Sequence, residues 1–145
     1  MSDGGGETDE KGAKTVGIVL VSHSAGVAAA VAELAKALAG GAASVPVAAA
    51  GGTEDGGMGT SAGLICAAAG SVDRGAGVAV LADLGSAVLT VKALLAEEDE
   101  LPDGTRLVDA PFVEGAVAAV VTAATGAGLD AVEAAAMEAY TYRKV

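Results

Sequence analysis

The chain has 145 residues and lacks tryptophan altogether; one phenylalanine and two tyrosines bring its aromatics to only 2%. With no ring anchors, the 52% of residues that are hydrophobic must pack as Ala, Val and Leu, which favours closely apposed layers. There is a single cysteine, Cys66, so no disulfide can form within the chain, and a reducing, cytoplasmic setting is the simpler expectation. Cations are scarce, with eight Lys and Arg against nineteen Asp and Glu, a formal charge of −11. That balance argues against nucleic acid, which is held mainly by Lys and Arg on phosphates, and against anionic membrane surfaces. It suits a basic partner drawn in by electrostatic steering. Long apolar runs are also missing. The best membrane candidate, "GAVAAVVTAATGAGL", is too short and too rich in Gly and Ala to span a bilayer, so no membrane insertion is expected. The opening "MSDGGGETDEKGAK" has no apolar core segment, which predicts no signal peptide. Residues 1–14 read as a disordered acidic tail, and 15–145 as one domain.

Alternating strand and helix signals are present. "TVGIVLV", residues 15–21, is a continuous β-branched run, the pattern of a strand buried on both faces in a parallel sheet. A helix is predicted over 26–38, with Val27, Val31, Leu34, Ala35 and Leu38 on its inner face and Gly40-Gly41 ending it. Residues 45–50 form a second strand, placed at an edge by Pro46. After a glycine-rich loop, Thr60 or Ser61 caps a helix through about residue 70, in which Cys66 is expected to be a small core residue. Residues 77–83 form a third strand. Ser86 is expected to cap the next helix, with Val88, Val91, Leu94 and Leu95 inward. A fourth strand covers 105–109. Two helices follow: one over 112–125 with Val113, Val117, Val120 and Val121 on one face, and one in which Asp130 and Glu133 have the spacing of a capping box. The prediction is a three-layer α/β domain with a mainly parallel sheet of four or five strands flanked by helices.

Ligands of such sheets bind beyond the carboxyl ends of the strands. There the sequence puts Ser22-His23-Ser24 after the first strand, the loop at 51–60 after the second, Asp83 to Ser86 after the third and Asp109 to Gly115 after the fourth. His23 is the one histidine of the chain. A neutral imidazole has one nucleophilic nitrogen, while the other can donate to a carboxylate that fixes the tautomer. If the first and third strands are neighbours, Asp83 stands beside His23. Hydroxyls and the amides of a helix N-terminus at Gly26 favour an incoming phosphoryl group. That set suffices for phosphoryl transfer to histidine, which asks for positioning more than covalent chemistry. A histidine after a strand also serves as a structural residue, and position alone leaves both readings open.

Rival motifs are weak. No G-x-x-x-x-G-K-[ST] is present, so a P-loop is excluded. "GMGTSA", residues 57–62, fits the dinucleotide fingerprint formally but begins several residues after the strand, where the first glycine belongs in the tight turn itself. One His and one Cys far apart make no metal site. A serine hydrolase lacks its G-x-S-x-G elbow.

Four segments in order, "VGIVLVSHSAGVAAAVAELAKAL", "AAAGGTEDGGMGTSAGLI", "VLADLGSAVLT" and "DAPFVEGAVAAVVTAATGAGLDAV", resemble the DhaM family of phosphotransferase subunits of phosphoenolpyruvate-dependent dihydroxyacetone kinase. That family is a branch of the mannose-type IIA domains of the sugar phosphotransferase system. The resemblance implies a mannose-type IIA fold, usually homodimeric, in which His23 accepts a phosphoryl group from phospho-HPr. The group then passes to ADP on the DhaL subunit, which works with DhaK. It implies no resident cofactor: only a transient phosphohistidine on this chain, with ADP or ATP on the partner. His23 and Asp83 would be catalytic, and Ser22, Ser24, Gly59, Thr60, Ser61, Gly85 and Ser86 candidate contacts for phosphate or partner. The alternatives are a IIA component of a mannose-type sugar permease and a non-catalytic regulatory module governed by phosphorylation.

Overall fold

A computed structural model describes residues 14–40 and 45–145. The expected tail lies outside them but for Lys14, as does Gly41 of the expected helix stop. Strand β1, Gly17–Ser22, is buried along its whole length. It pairs in parallel with β2, Val47–Gly51, on one side and β3, Val78–Ala82, on the other; β4, Thr105–Leu107, pairs in parallel with β3, so the order is β2-β1-β3-β4. The continuous apolar run of β1 follows from this central place, and β2 takes the edge that Pro46 indicated.

Successive side chains of a strand point to opposite faces, so one strand feeds two cores. Ile18 and Leu20 enter a core covered by α1 (Ala25–Leu38), α4 (Phe112–Ala124) and α5 (Leu129–Glu138). Val19 and Val21 enter the opposite core, covered by α2 (Ala62–Val72) and α3 (Gly85–Leu95). The domain is therefore the expected three-layer α/β sandwich with a parallel sheet, here of four strands among the described residues.

The helices turn smaller faces inward than their heaviest residues suggest. On α1 the buried positions are Ala28, Val31, Ala32 and Ala35, while Val27, Leu34 and Leu38 are 46%, 43% and 60% exposed. On α4, Ala116, Ala119, Val120 and Ala123 are buried, and Val113 and Val121 lie outward; on α3, Leu95 also lies outward beside buried Val91 and Leu94. Alanine lets a helix axis approach the sheet closely, so the contact face goes to the small residues. The displaced aliphatics Leu34, Leu38, Val113, Val117 and Val121 line an apolar groove with Tyr142.

Local capping expectations divide. Ser61 caps α2, its hydroxyl accepting the Leu64 amide at 3.1 Å, and Ser24 caps α1 through the Val27 amide at 3.2 Å. Ser86 does not cap α3: Leu84 stands at that position with no side-chain bond, and Ser86 lies inside the first turn. Asp130 and Glu133 do not form a capping box either. Gly128 precedes α5, and both carboxylates reach Arg106 on β4, at 2.7 and 2.8 Å. A cation from a distant strand competes better for them than a local amide does. Cys66 is half-buried rather than in the core; its thiol faces Glu100 at 3.8 Å, and burial with that neighbouring carboxylate pushes the thiol pKa up.

Candidate functional site

The chain leaves β1 for β2 on one side and reaches β3 on the other, so the carboxyl ends of β1 and β3 flank the topological switch point of the sheet. Val21 pairs with Ala82 there, which sets the next residues of both strands, through His23 and Asp83, side by side. The Asp83 amide donates to the Val21 carbonyl at 3.1 Å and extends the pairing one step.

Asp83 is the hub. Its Oδ1 faces His23 Nδ1 at 2.9 Å and accepts the Leu84 amide at 2.7 Å. Its Oδ2 accepts the Ser22 hydroxyl at 2.8 Å and the His23 amide at 3.1 Å. Desolvation pushes the Asp83 carboxyl up, but the bonds from Ser22, the His23 amide, the His23 ring and the Leu84 amide together outweigh it and hold the group below its ordinary value. An ionised carboxylate only accepts, so the ring nitrogen facing it must carry a proton. His23 therefore keeps its hydrogen on Nδ1 and its lone pair on Nε2. Nε2 meets the Ser86 hydroxyl, which has a proton to give it. The imidazole side chain remains one quarter exposed, at 25%, so the ring is held at both nitrogens and still open to solvent.

The other candidate residues surround this pair in different ways. Ser22 is buried at 1% exposure and its hydroxyl is fully used, donating to Asp83 and accepting the Ser24 amide at 3.1 Å. Ser24 and Ser61 cap helices, and Ser61 also donates to Glu54 at 3.1 Å. The Gly59 amide donates to the His23 carbonyl at 2.9 Å, at a φ of 142° that an L side chain rarely adopts. Thr60 Oγ1 lies 3.1 Å from Thr90 Oγ1. A Cβ at Gly85 would meet nothing within 4 Å, which leaves open space beside Ser86. The amides of Gly85 and Ser86, at the start of α3, make no hydrogen bond among the described residues. Helix N-termini of this kind favour anions. Gly51 brings the start of α1 onto the rim: a Cβ there would stand 2.4 Å from the Ser24 carbonyl oxygen.

Sequence reasoning missed Thr90. Its signal was the four-residue interval from Ser86, which stacks the two on one helix face. The acidic, hydroxyl-rich rim holds no group of three or more metal-ligating side chains among the described residues, and no helix there is long and apolar enough to cross a membrane.

An open parallel sheet with one imidazole at its switch point, backed by a carboxylate and faced by a hydroxyl and free helix amides, is the layout of a phosphoryl-handling domain. The sequence profile of the EIIA-man family, described as the PTS system fructose IIA component, matches residues 17–133, and the chain belongs to that family. Within it, the chain is 36% identical over 107 residues to the phosphoryl donor subunit DhaM of PEP-dependent dihydroxyacetone kinase 2 from Listeria innocua, covering 73% of this chain and 84% of that subunit. It is 39% identical over 127 residues to the DhaM subunit from Escherichia coli K12, covering 86% of this chain but only 27% of that longer protein. A crystal structure of a protein described as of unknown function superposes with a TM-score of 0.77 at 32% identity, over 90% of this chain and 98% of the other. A sigma-54 interaction domain protein from Enterococcus faecalis shares the fold alone, with a TM-score of 0.61 at 17% identity over 83% of this chain and 86% of that one.

Proposed function

We propose that the chain is a phosphohistidine carrier, with His23 Nε2 as the acceptor atom, in a phosphoenolpyruvate-dependent dihydroxyacetone kinase system. One observation carries this reading: Asp83 holds the proton of the ring on Nδ1 and leaves the lone pair on Nε2 at the open side. The incoming group is the phosphoryl of phospho-HPr. The Nε2 lone pair forms the new N–P bond as the donor N–P bond breaks, and the bonding pair returns to the donor. Positive charge grows on the ring during attack, and the Asp83 carboxylate opposite stabilises it. The Ser86 hydroxyl turns from Nε2 to a phosphoryl oxygen, and the free amides of Gly85 and Ser86 supply further donors. In the second half-reaction a β-phosphate oxygen of ADP, bound on DhaL, attacks phosphorus. The N–P bond breaks towards the ring, which returns neutral with Nδ1–H intact. No proton leaves His23 at any point, so its carboxylate partner orients and stabilises without acting as a base.

On this reading the chain needs no resident cofactor, the nucleotide stays on DhaL with DhaK alongside, and the place of work is the cytoplasm. The relatives' name as phosphoryl donor subunits of dihydroxyacetone kinase supports DhaL as acceptor. The description of the family as a fructose IIA component favours a second reading, a sugar-permease IIA domain. Reconstitution with phosphoenolpyruvate, enzyme I and HPr tests the carrier role, which predicts a gain of one phosphate that His23→Ala abolishes. Adding DhaL–ADP, DhaK and dihydroxyacetone separates the readings. Consumption of the label with product formed supports the kinase branch. Label that persists there but moves to a permease component supports the second, and label that moves to neither supports a regulatory module.

A homodimer is part of the same proposal. The groove between α1 and α4, lined by Leu34, Leu38, Val113, Val117, Val121 and Tyr142, is the apolar face such an interface uses. Light scattering should give twice the chain mass, and Leu38→Asp with Val121→Asp should return it to one; a wild-type monomer at all concentrations contradicts the dimer.

A further inference from the structure

A second set of hydroxyls holds the site from outside the ring. Thr90, one turn after Ser86 in α3, donates to the Ser86 carbonyl oxygen at 2.9 Å, and its Oγ1 lies 3.1 Å from that of Thr60. A hydroxyl has one proton to give. Thr90 spends its own on Ser86, so the proton between the two threonines is Thr60's, and the order runs Thr60 to Thr90 to Ser86. The bond from Thr90 to the carbonyl four residues back is a common local habit of threonine in helices. The bond from Thr60 has no such local origin, since it joins residues 30 apart, one in the loop before α2 and the other in α3.

Thr60 stands between two residues with fixed partners. The Gly59 amide holds the His23 carbonyl at 2.9 Å, and Ser61 caps α2. Three consecutive residues thus hold the backbone of His23, Thr90 on α3 and the start of α2. The first turn of α3, one turn before Thr90, bears Ser86, and α3 has no side-chain cap of its own. Both threonines are half-buried, so water competes only partly for their hydroxyls.

We propose that Thr60 and Thr90 form a positioning clamp that fixes the Ser86 hydroxyl against His23 Nε2. The clamp rests on the carrier reading of His23, and it makes Thr60 a positioning residue where the sequence suggested a contact for phosphate or partner. Neither threonine touches the reacting atoms; each acts through the backbone of Ser86.

The test uses Thr90→Val, which keeps shape and removes the hydroxyl, with Thr60→Val, the double variant, Thr90→Ser and Ser86→Ala. The rate of transfer from phospho-HPr should fall about five- to tenfold in either valine variant, the effect of one lost hydrogen bond. The double variant should be no slower than the slower single, and Thr90→Ser should recover the rate. In a Ser86→Ala background, Thr90→Val should cost nothing further, which a merely structural role does not predict. Independently, the ring ¹⁵N resonances of unphosphorylated His23 in Thr90→Val should move towards those of Ser86→Ala. Equal slowing by Thr90→Val with and without the Ser86 hydroxyl, or unmoved ring resonances, overturns the clamp. If Thr90→Val does not fold, Thr60→Val makes the same test from the loop side of the bond. Persistence of label in His23→Ala overturns the carrier reading instead, and the resonance comparison still judges the clamp.

Discussion

Asp83 grips His23 at two points, the ring Nδ1 through Oδ1 at 2.9 Å and the backbone amide through Oδ2 at 3.1 Å. The ring can neither turn nor tilt without breaking one of these bonds, and the carboxylate cannot move without breaking its bonds to Ser22 and Leu84. The pair is preorganised in the sense that matters for transfer: the nucleophilic lone pair is aimed before a partner arrives.

Loss of the carboxylate removes both the aim and the charge stabilisation. Asp83→Ala should slow phosphorylation of His23 about 10- to 100-fold, the effect of one hydrogen bond to a charged group. Stopped quench-flow with phospho-HPr measures it, with circular dichroism to show that the fold remains. An unchanged rate removes Asp83 from the mechanism.

The same carboxylate makes stability depend on pH with a definite sign. Its folded pKa lies below the ordinary value, so its contribution is fully present above the unfolded value of about 4 and is lost as pH falls through the lower folded value. Urea denaturation of the native protein and Asp83→Asn, from pH 7 to pH 2.5, should show the largest gap above about pH 4 and a closing gap below it. A gap that widens on acidification contradicts the hydrogen-bond account of Asp83.

Much of this arrangement was legible in the sequence. The unbroken apolar run of β1 implied a central parallel strand, and the rim rule then selected His23 and Asp83, 60 residues apart, from the ends of the first and third strands. Other features were not legible because they depend on competition between local and distant partners. Ser86 looks like a cap, yet its hydroxyl goes to an imidazole 63 residues away. Asp130 and Glu133 look like a capping box, yet Arg106 claims both. Leu34 and Leu38 look like core, yet alanines won the contact face by allowing closer packing. The only local signal of Thr90 is its four-residue interval from Ser86, and the contact with Thr60 is made by the fold alone.

The close approach of Gly51 to α1 is a further commitment of the backbone. Gly51→Ala puts a methyl group 2.4 Å from the Ser24 carbonyl oxygen, so either β2 or the start of α1 must shift. A loss of about 1–3 kcal/mol is expected, as for overpacking elsewhere. Chemical denaturation reads it, and a change under half a kcal/mol, ~0.5 on the scale of ordinary surface substitutions, contradicts the close approach.

Charge should govern the encounter rather than the chemistry. With a net charge of −11, association with a basic donor face is steered, so the second-order rate of phosphorylation should fall steeply from 50 to 500 mM salt, by roughly tenfold. The first-order rate within the complex should stay constant. A salt-independent second-order rate argues against steering.

The central claim is that His23 Nε2 takes the phosphoryl group, and NMR of the phosphorylated protein tests it most directly. After labelling with phosphoenolpyruvate, enzyme I and HPr, ³¹P and ¹⁵N spectra should show a single acid-labile phosphoramidate coupled to the Nε2 of His23, with Nδ1 still protonated towards Asp83. A phosphoryl group on Nδ1, on a serine of the rim, or on any residue that survives His23→Ala contradicts the account.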